Sequence, residues 1–449
     1  MWFIATVLFF VAVSAKCNSE QGSLFVGAAR VDITPSPNRK LALAGYAGRP
    51  DRFDGIHDHI YARAIVLSDG SNKAVILSWE LLGMPSNIWE RLKTKIVAET
   101  GIPAQNLLLA GEHTHSAPVL VGIYGPHSTV PSREVEAYTS EVVKSAIEAI
   151  HEADKRLEPA KFGFGSGLVY VNINRRMFFP EHNWWWLGFN PEGPSDKSLF
   201  VLKFTDLSGR PIALLINYPV HATVMGPENL LISGDVAGAT SRYVELYYQG
   251  KLATSSAMDL RLRSEEKTDN EDAPVALWTS GAAGDQDPIS MDRGEDFSMV
   301  DGLGKILGEE SVRVANHISV MSSRVEIAGA QRLISCPGRR LLEPNNRPRV
   351  NYAFVDSGSV DIRLTLLMLN RVALVGVSGE PFSLIYQRLR EKSPLRDLIM
   401  VTHANGSSGY IPTDDSFDHV SYEITASDLK PGCAETSIMN NLLEMMGTN

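Results

Sequence analysis

Residues 106–118 read "NLLLAGEHTHSAP". Leu107 to Gly111 form a short apolar run, and His113 and His115 follow it at alternate positions. A similar run, "KAVILSWEL" (73–81), lies upstream. Between the two sits "SNIWERLKTKIVAETG" (86–101), where Ile88, Leu92 and Ile96 share one face of a predicted helix that Gly101 ends. Downstream, "SREVEAYTSEVVKSAIEAIHEA" (132–153) predicts a second helix. Short apolar runs alternating with helical patterns predict an α/β (mixed α+β) chain: one large domain, about 23–449, of mixed β-sheets flanked by helices.

Bulk properties bound the function. With 44% apolar and 21% charged residues among 449, the chain is too apolar for a disordered protein and long enough for a substantial core. Its net charge is −10 and Lys and Arg are scattered, which argues against a nucleic-acid partner. The opening "MWFIATVLFFVAVSA" (1–15) has the length of a signal-peptide apolar region and ends in small residues, so a secreted or periplasmic protein is expected. Lys16 stands where a lipoprotein signal places a small residue, and lipid anchoring at Cys17 is not expected. Cys336 and Cys433 are free to pair in an oxidising compartment and are not spaced as a zinc site. Repeats are absent, and the longest polar break, about 251–274, reads as a surface insertion.

Five apolar runs end in chemically useful residues. "NLLLAG" leads to His113 and His115, "IALLINYPV" to His221, and "VALWTSGAAG" to Asp285 and Asp287. "RVALVGVSG" leads to Glu380, and "DLIMVTHANGSSG" to Tyr410. Sheets flanked by helices gather their sites at strand ends, where rigid strands position the loops, so one shared pocket is expected.

On an extended segment residues i and i+2 point the same way, which sets His113 and His115 side by side. One metal takes both, or one ligates while the other moves a proton; structural or surface histidines fit an isolated His-x-His equally well. Glu380 follows a nearly continuous apolar run and is costly to bury unless paired or metal-bound, although an exposed acid before the helix "FSLIYQRLREK" also fits. Two neutral imidazoles and a carboxylate form the usual open catalytic zinc site. Ser116 and Ala117 stand where a metallo-β-lactamase pattern needs Asp-His, and too few strand–helix units are present for an amidohydrolase barrel.

The chain resembles the neutral, non-lysosomal ceramidases. The likeness runs in order through "GAARVDITP" (27–35), "AGYAG" (44–48), "GIHDHIYARAIVL" (55–67), "GEHTHSAP" (111–118) and "VNINRR" (171–176). It continues through "NYPVHATVMG" (217–226), "LISGDVAG" (231–238), "GAAGDQDP" (281–288), "VGVSGEPF" (375–382), "SGYIPT" (408–413) and "SYE" (421–423). This resemblance implies that His113, His221, Glu380 and Tyr410 ligate a catalytic Zn2+, that His115 shuttles a proton, and that Arg175 and Tyr422 contact the substrate carbonyl. It implies a secreted hydrolase cleaving the amide of a sphingolipid-like substrate with zinc-activated water, in possible contact with a membrane surface.

Two departures qualify the resemblance. The family's "GDxSP" segment, with its serine, is "GDQDP" here, so Asp287 occupies the serine position and excludes an acyl-serine there. Asp287 would then orient water or His115, or serve a turn after Gly284. The chain also ends near Asn449, short of the family's immunoglobulin-like domain, as in shorter bacterial relatives whose substrates need not be ceramides. Three consecutive tryptophans, Trp184 to Trp186, suit a lipid chain, a sugar ring or a core. A zinc-dependent enzyme acting on a glycan or glycoconjugate, and a non-catalytic secreted binding protein, therefore stand as alternatives.

Overall fold

The computed structural model describes residues 22–123, 131–250, 252, 273–290, 296–343 and 347–447. The leader segment with Cys17, and all but Leu252, Ala273 and Pro274 of the polar break, lie outside the described residues.

Eight strands form the main sheet. From one edge to the other they are Val275–Ser280, Pro211–Tyr218, Ser198–Asp206, Glu158–Leu168, Phe25–Asp32, Tyr61–Ser68, Lys73–Trp79 and Leu107–Gly111. The pair at each edge is parallel and the inner pairs are antiparallel. Successive residues of Leu107–Gly111 feed different cores: Leu107 and Leu109 join Ile88, Leu92 and Ile96, while Leu108 joins Leu364, Leu366 and Val375. Both faces of that strand are therefore covered, which is why it reads as a continuous apolar run rather than an alternating one.

One layer of helices supplies the outer cover. The helix Ser86–Thr100 ends at Gly101, whose φ of 72° is left-handed and whose N–H bonds to Val97 O. The helix Arg133–Lys155 is capped by Ser132 accepting from Val135 N, with Glu134 and Glu136 in its first turn. Beside them, Asp235–Tyr248 and Ser298–His317 cover the strands Ser198–Asp206 and Pro211–Tyr218.

The other face packs on a second sheet, ordered Ile327–Leu341, Phe354–Leu369, Val372–Val377 and Leu398–Val401. Helices Ser383–Lys392 and Ala434–Met445 add Ile385, Leu389, Ile438 and Leu442 to that core. Cys336 and Cys433 are joined in a disulfide. Among the described residues no helix is long and apolar enough to cross a membrane.

The main sheet curls until its edges approach. Ser280 Oγ donates to Glu112 O at 3.0 Å, linking the end of one edge strand to the residue that follows the other. Residues 402–405 complete the seam: Thr402 N donates to Ser280 O (2.9 Å), Gly111 N to His403 O (3.3 Å) and Asn405 N to Leu109 O (2.8 Å). Strand ends from both edges therefore meet at one place.

Candidate active site

His113 and His221 come together because their segments lie in parallel, with Thr114 bridged to Ala222 and His115 N donating to Ala222 O at 3.2 Å. His113 adopts a left-handed φ of 68°, a conformation that costs a non-glycine residue roughly 1–3 kcal/mol and gathers at functional sites. Glu380 and Tyr410 are direct partners in a two-residue parallel ladder, with Glu380 N donating to Gly409 O at 2.9 Å. That ladder sets two predicted ligands from distant parts of the chain beside each other.

The two imidazoles are oriented by backbone. His113 Nδ1 donates to Leu82 O at 2.7 Å, and His221 Nδ1 to Ala283 O at 2.8 Å. Each ring therefore turns its Nε2 away from that carbonyl and toward the other. Those atoms lie 3.4 Å and 3.3 Å from one oxygen, Glu380 Oε2. Despite that approach His221 Nε2 and Glu380 Oε2 are buried without a hydrogen-bond partner. Burial, with Arg175 and His113 nearby, pulls the His221 imidazole down to about 3, so it is neutral. Burial pushes the Glu380 carboxyl up, but the His113 and His221 contacts outweigh it and hold the group well below the usual carboxylate range. Two imidazole Nε2 atoms and an ionised carboxylate aimed at one point, with His221 Nε2 and Glu380 Oε2 otherwise unsatisfied, form a donor set that fits a divalent transition metal.

His115 lies beside this set, its Nε2 3.4 Å from His113 Nε2. Burial, followed by His113 and His221, holds its pKa well below the ordinary histidine value. The sequence reading missed what fixes it. Buried Arg49 donates to Ala44 O (3.1 Å), Pro227 O (3.0 Å) and Gly226 O (2.8 Å), and also to His115 O. The Tyr46 ring lies edge-on to His115 at 4.8 Å and under the Arg49 guanidinium at 4.6 Å.

Arg175 is held by four contacts: Glu423 Oε1 (2.7 Å), Asp287 Oδ1 (2.9 Å), Gly284 O (2.9 Å) and the Tyr410 hydroxyl (3.0 Å). Burial alone would lower its pKa, but Asp287, Tyr410 and Glu423 raise it well above the ordinary value. Asp287 lies in the strand Gln286–Pro288 and also accepts from Thr223 Oγ1 at 3.4 Å. Its carboxylate thus faces Arg175, where the sequence reading set water, His115 or a turn. Asp285 has a supporting part, accepting from Asn174 Nδ2 (2.8 Å) and Ser383 N (2.9 Å) at the start of a helix. Tyr422 opens the short helix Tyr422–Ala426, its ring 6.0 Å from Tyr410 and 5.9 Å from Trp186. Burial and then Glu380 push the Tyr410 phenol well above its ordinary pKa.

A fourth histidine, His403, was also missed. It follows the strand Leu398–Val401, the same signal that marked His113 and His221. His113, Glu380 and His403 offer ligand atoms within 4.8 Å of one another. The His403 ring, however, stacks on His113 at 3.9 Å with planes 18° apart. Stacked, nearly parallel rings cannot both direct in-plane lone pairs at one ion. His113 and His221 are inclined at 79° and can. His403 thus covers a face of His113 rather than adding a ligand to the same ion.

Residues 24–293 match the family described as neutral/alkaline non-lysosomal ceramidase, N-terminal. Neutral ceramidase A of Dictyostelium discoideum is 28% identical over 249 residues, 52% of this chain and 33% of that protein. The neutral ceramidase of Pseudomonas aeruginosa is 28% identical over 243 residues, covering 52% and 35%. The chain thus spans about a third of the length of these curated relatives. The crystal structure of the neutral ceramidase from Pseudomonas aeruginosa superposes with a TM-score of 0.73 at 17% identity, covering 95% of this chain and 74% of that one, a likeness of fold. Glu380, Tyr410 and Tyr422 lie beyond the family match but within a chain whose fold agrees almost throughout. Because the matched residues make up more than half of the 449, the chain belongs to the neutral/alkaline non-lysosomal ceramidase family.

Proposed function

We propose that this chain is an exported, zinc-dependent amidohydrolase that cleaves the N-acyl bond of a ceramide-like lipid. The observation that carries the proposal is the convergence of His113 Nε2 and His221 Nε2 on Glu380 Oε2, at 3.4 and 3.3 Å. In this reading His113, His221, Glu380 and Tyr410 hold the ion, which supplies Lewis acidity and lowers the pKa of water to about 7. Arg175 and Tyr422 bind the amide oxygen and stabilise charge that develops there, as preorganised donors do. Asp287 and Glu423 keep the guanidinium in place. With Asp287 engaged in that ion pair, the attacking oxygen comes from water. His115, neutral because it is buried, accepts a proton at its imidazole and passes it to the leaving amine, giving a fatty acid and a free amine. The Cys336–Cys433 disulfide supports export to an oxidising compartment.

The test measures metal content and hydrolysis together. Purified protein should contain zinc and hydrolyse short- or long-chain ceramides, lose activity to a chelator and regain it with zinc. His113→Ala and His221→Ala should each lose the metal while circular dichroism stays native. If both variants keep full occupancy, the ligand assignment is wrong; if the zinc-loaded protein leaves every ceramide intact, the substrate class is wrong.

A further inference from the structure

The strand Trp184–Asn190 pairs with Asn172–Phe179 in an antiparallel hairpin, and all seven of its residues are partly exposed. A strand packed on one face shows alternation instead. Adjacent side chains on a strand point to opposite faces. Trp186 meets Tyr422 at the candidate active site, whereas Trp185 lines a separate cavity of about 460 Å³. Arg175 and Arg176 divide in the same way, Arg175 holding Asp287 and Tyr410 and Arg176 walling the cavity. The hairpin is therefore a partition with an aromatic surface on each side.

We propose that this second cavity binds a neutral sugar ring. Its size falls in the range of small-molecule sites. Trp185 offers an amphipathic ring for the apolar face of a pyranose. Asn190, Glu192, Asp415 and His419 line the same space with amide, carboxylate and imidazole groups able to pair with hydroxyls.

The remaining ligand classes fit less well. Arg176 offers an anion a single unused N–H, because its guanidinium already donates to Ser421 Oγ (3.0 Å), Ser416 Oγ (2.9 Å), Ser416 O (3.1 Å) and His419 O (2.7 Å). Glu192, Asp415 and Asp285 repel phosphate or sulfate. The same guanidinium lies 6.0 Å from the Trp185 ring centre and 5.1 Å from that of Phe382, and its positive charge repels a quaternary ammonium. An acyl chain in this cavity would have to lie against the carboxyl groups of Glu192, Asp285 and Asp415. What remains is an uncharged, hydroxyl-rich ring. This inference stands apart from the amidase proposal, since none of the residues named for metal binding or amide hydrolysis lines the cavity.

Calorimetric titration of the zinc-loaded full chain tests it, with the methyl glycosides of glucose, galactose and mannose, N-acetylglucosamine, inorganic phosphate and choline as probes. At least one neutral sugar should bind saturably. Trp185→Ala should weaken that binding about tenfold or more while ceramide hydrolysis continues. Should Trp185→Ala fail to fold, Glu192→Ala, at an exposed position, should weaken the same sugar. Failure of all four sugars to bind, unchanged binding in the folded variants, or binding of phosphate or choline alone overturns the proposal.

Discussion

His115, the proposed proton carrier, shows how little of a site's precision resides in one reactive residue. Its ring is bounded by Tyr46, its carbonyl is held by Arg49, and Gly45, with a left-handed φ of 95°, lies so close that an added Cβ would overlap the imidazole. Gly45→Ala is therefore expected to displace His115 while leaving the buried nitrogens of His113 and His221 in place. Turnover should fall by about 10²-fold, the low end of what positioned acid–base groups supply, with zinc content unchanged. Unchanged turnover in a variant that holds zinc would remove His115 from the mechanism. The sequence displayed the useful residue types, since histidines and a carboxylate after apolar runs are conspicuous. It did not display Arg49, whose carbonyl partners come from residues 44, 115, 226 and 227 and have no local pattern. His403 carried the same signal as His113, and only the stacking of the rings separates a cover from a ligand.

At the scale of elements, runs buried on both faces were legible, because covering a strand on each side makes it uniformly apolar. Helix ends were legible too, since Gly101 and Ser132 act through local backbone geometry. The hairpin 172–190 was not, because Trp184–Asn190 is partly exposed on both faces and Asn172–Phe179 buries the polar Asn172, Asn174 and Arg175, which leaves no hydrophobic period to read. The start of the helix Asp235–Tyr248 gives a pH prediction. Asp235, at a left-handed φ of 51°, accepts from the N–H groups of Val224 (3.2 Å), Met225 (3.0 Å) and Val236 (2.7 Å). Burial nevertheless raises its carboxyl from 3.8 to about 6 against those lowering contacts. Its folded-state pKa thus exceeds the unfolded one, so between these values the folded state binds more protons and stability falls as pH rises. A shift of this size corresponds to roughly 3 kcal/mol. Urea unfolding at intervals from pH 4 to 7 should show this decline, and Asp235→Asn, which tolerates the same backbone conformation, should flatten it. An equally steep decline in the variant would assign the effect elsewhere.

For the whole molecule, what the sequence could not reveal is closure. The curled sheet meets itself only because residues 402–405 fit between Ser280 and Gly111, a pairing across hundreds of positions that no window of sequence contains. The same seam brings the His113 and His221 strand ends together, so global curvature rather than any motif makes one site from two edges. The Cys336–Cys433 bond lies in the other layer, tying the second sheet to the helix Ala434–Met445 across a sequence separation of 97 residues. Closing a loop of that length restricts the unfolded chain, and its removal should cost roughly 4–5 kcal/mol. Cys433→Ser, unfolded in urea beside the wild type, should therefore show a lower midpoint. Below that midpoint it should keep its zinc and its turnover, because neither cysteine contributes to the His113–His221–Glu380 cluster. An unchanged midpoint would mean that packing of Ile438 and Leu442 alone holds the helix; zinc lost under native conditions would mean that the second sheet and the His113–His221–Glu380 cluster do not behave as separable layers.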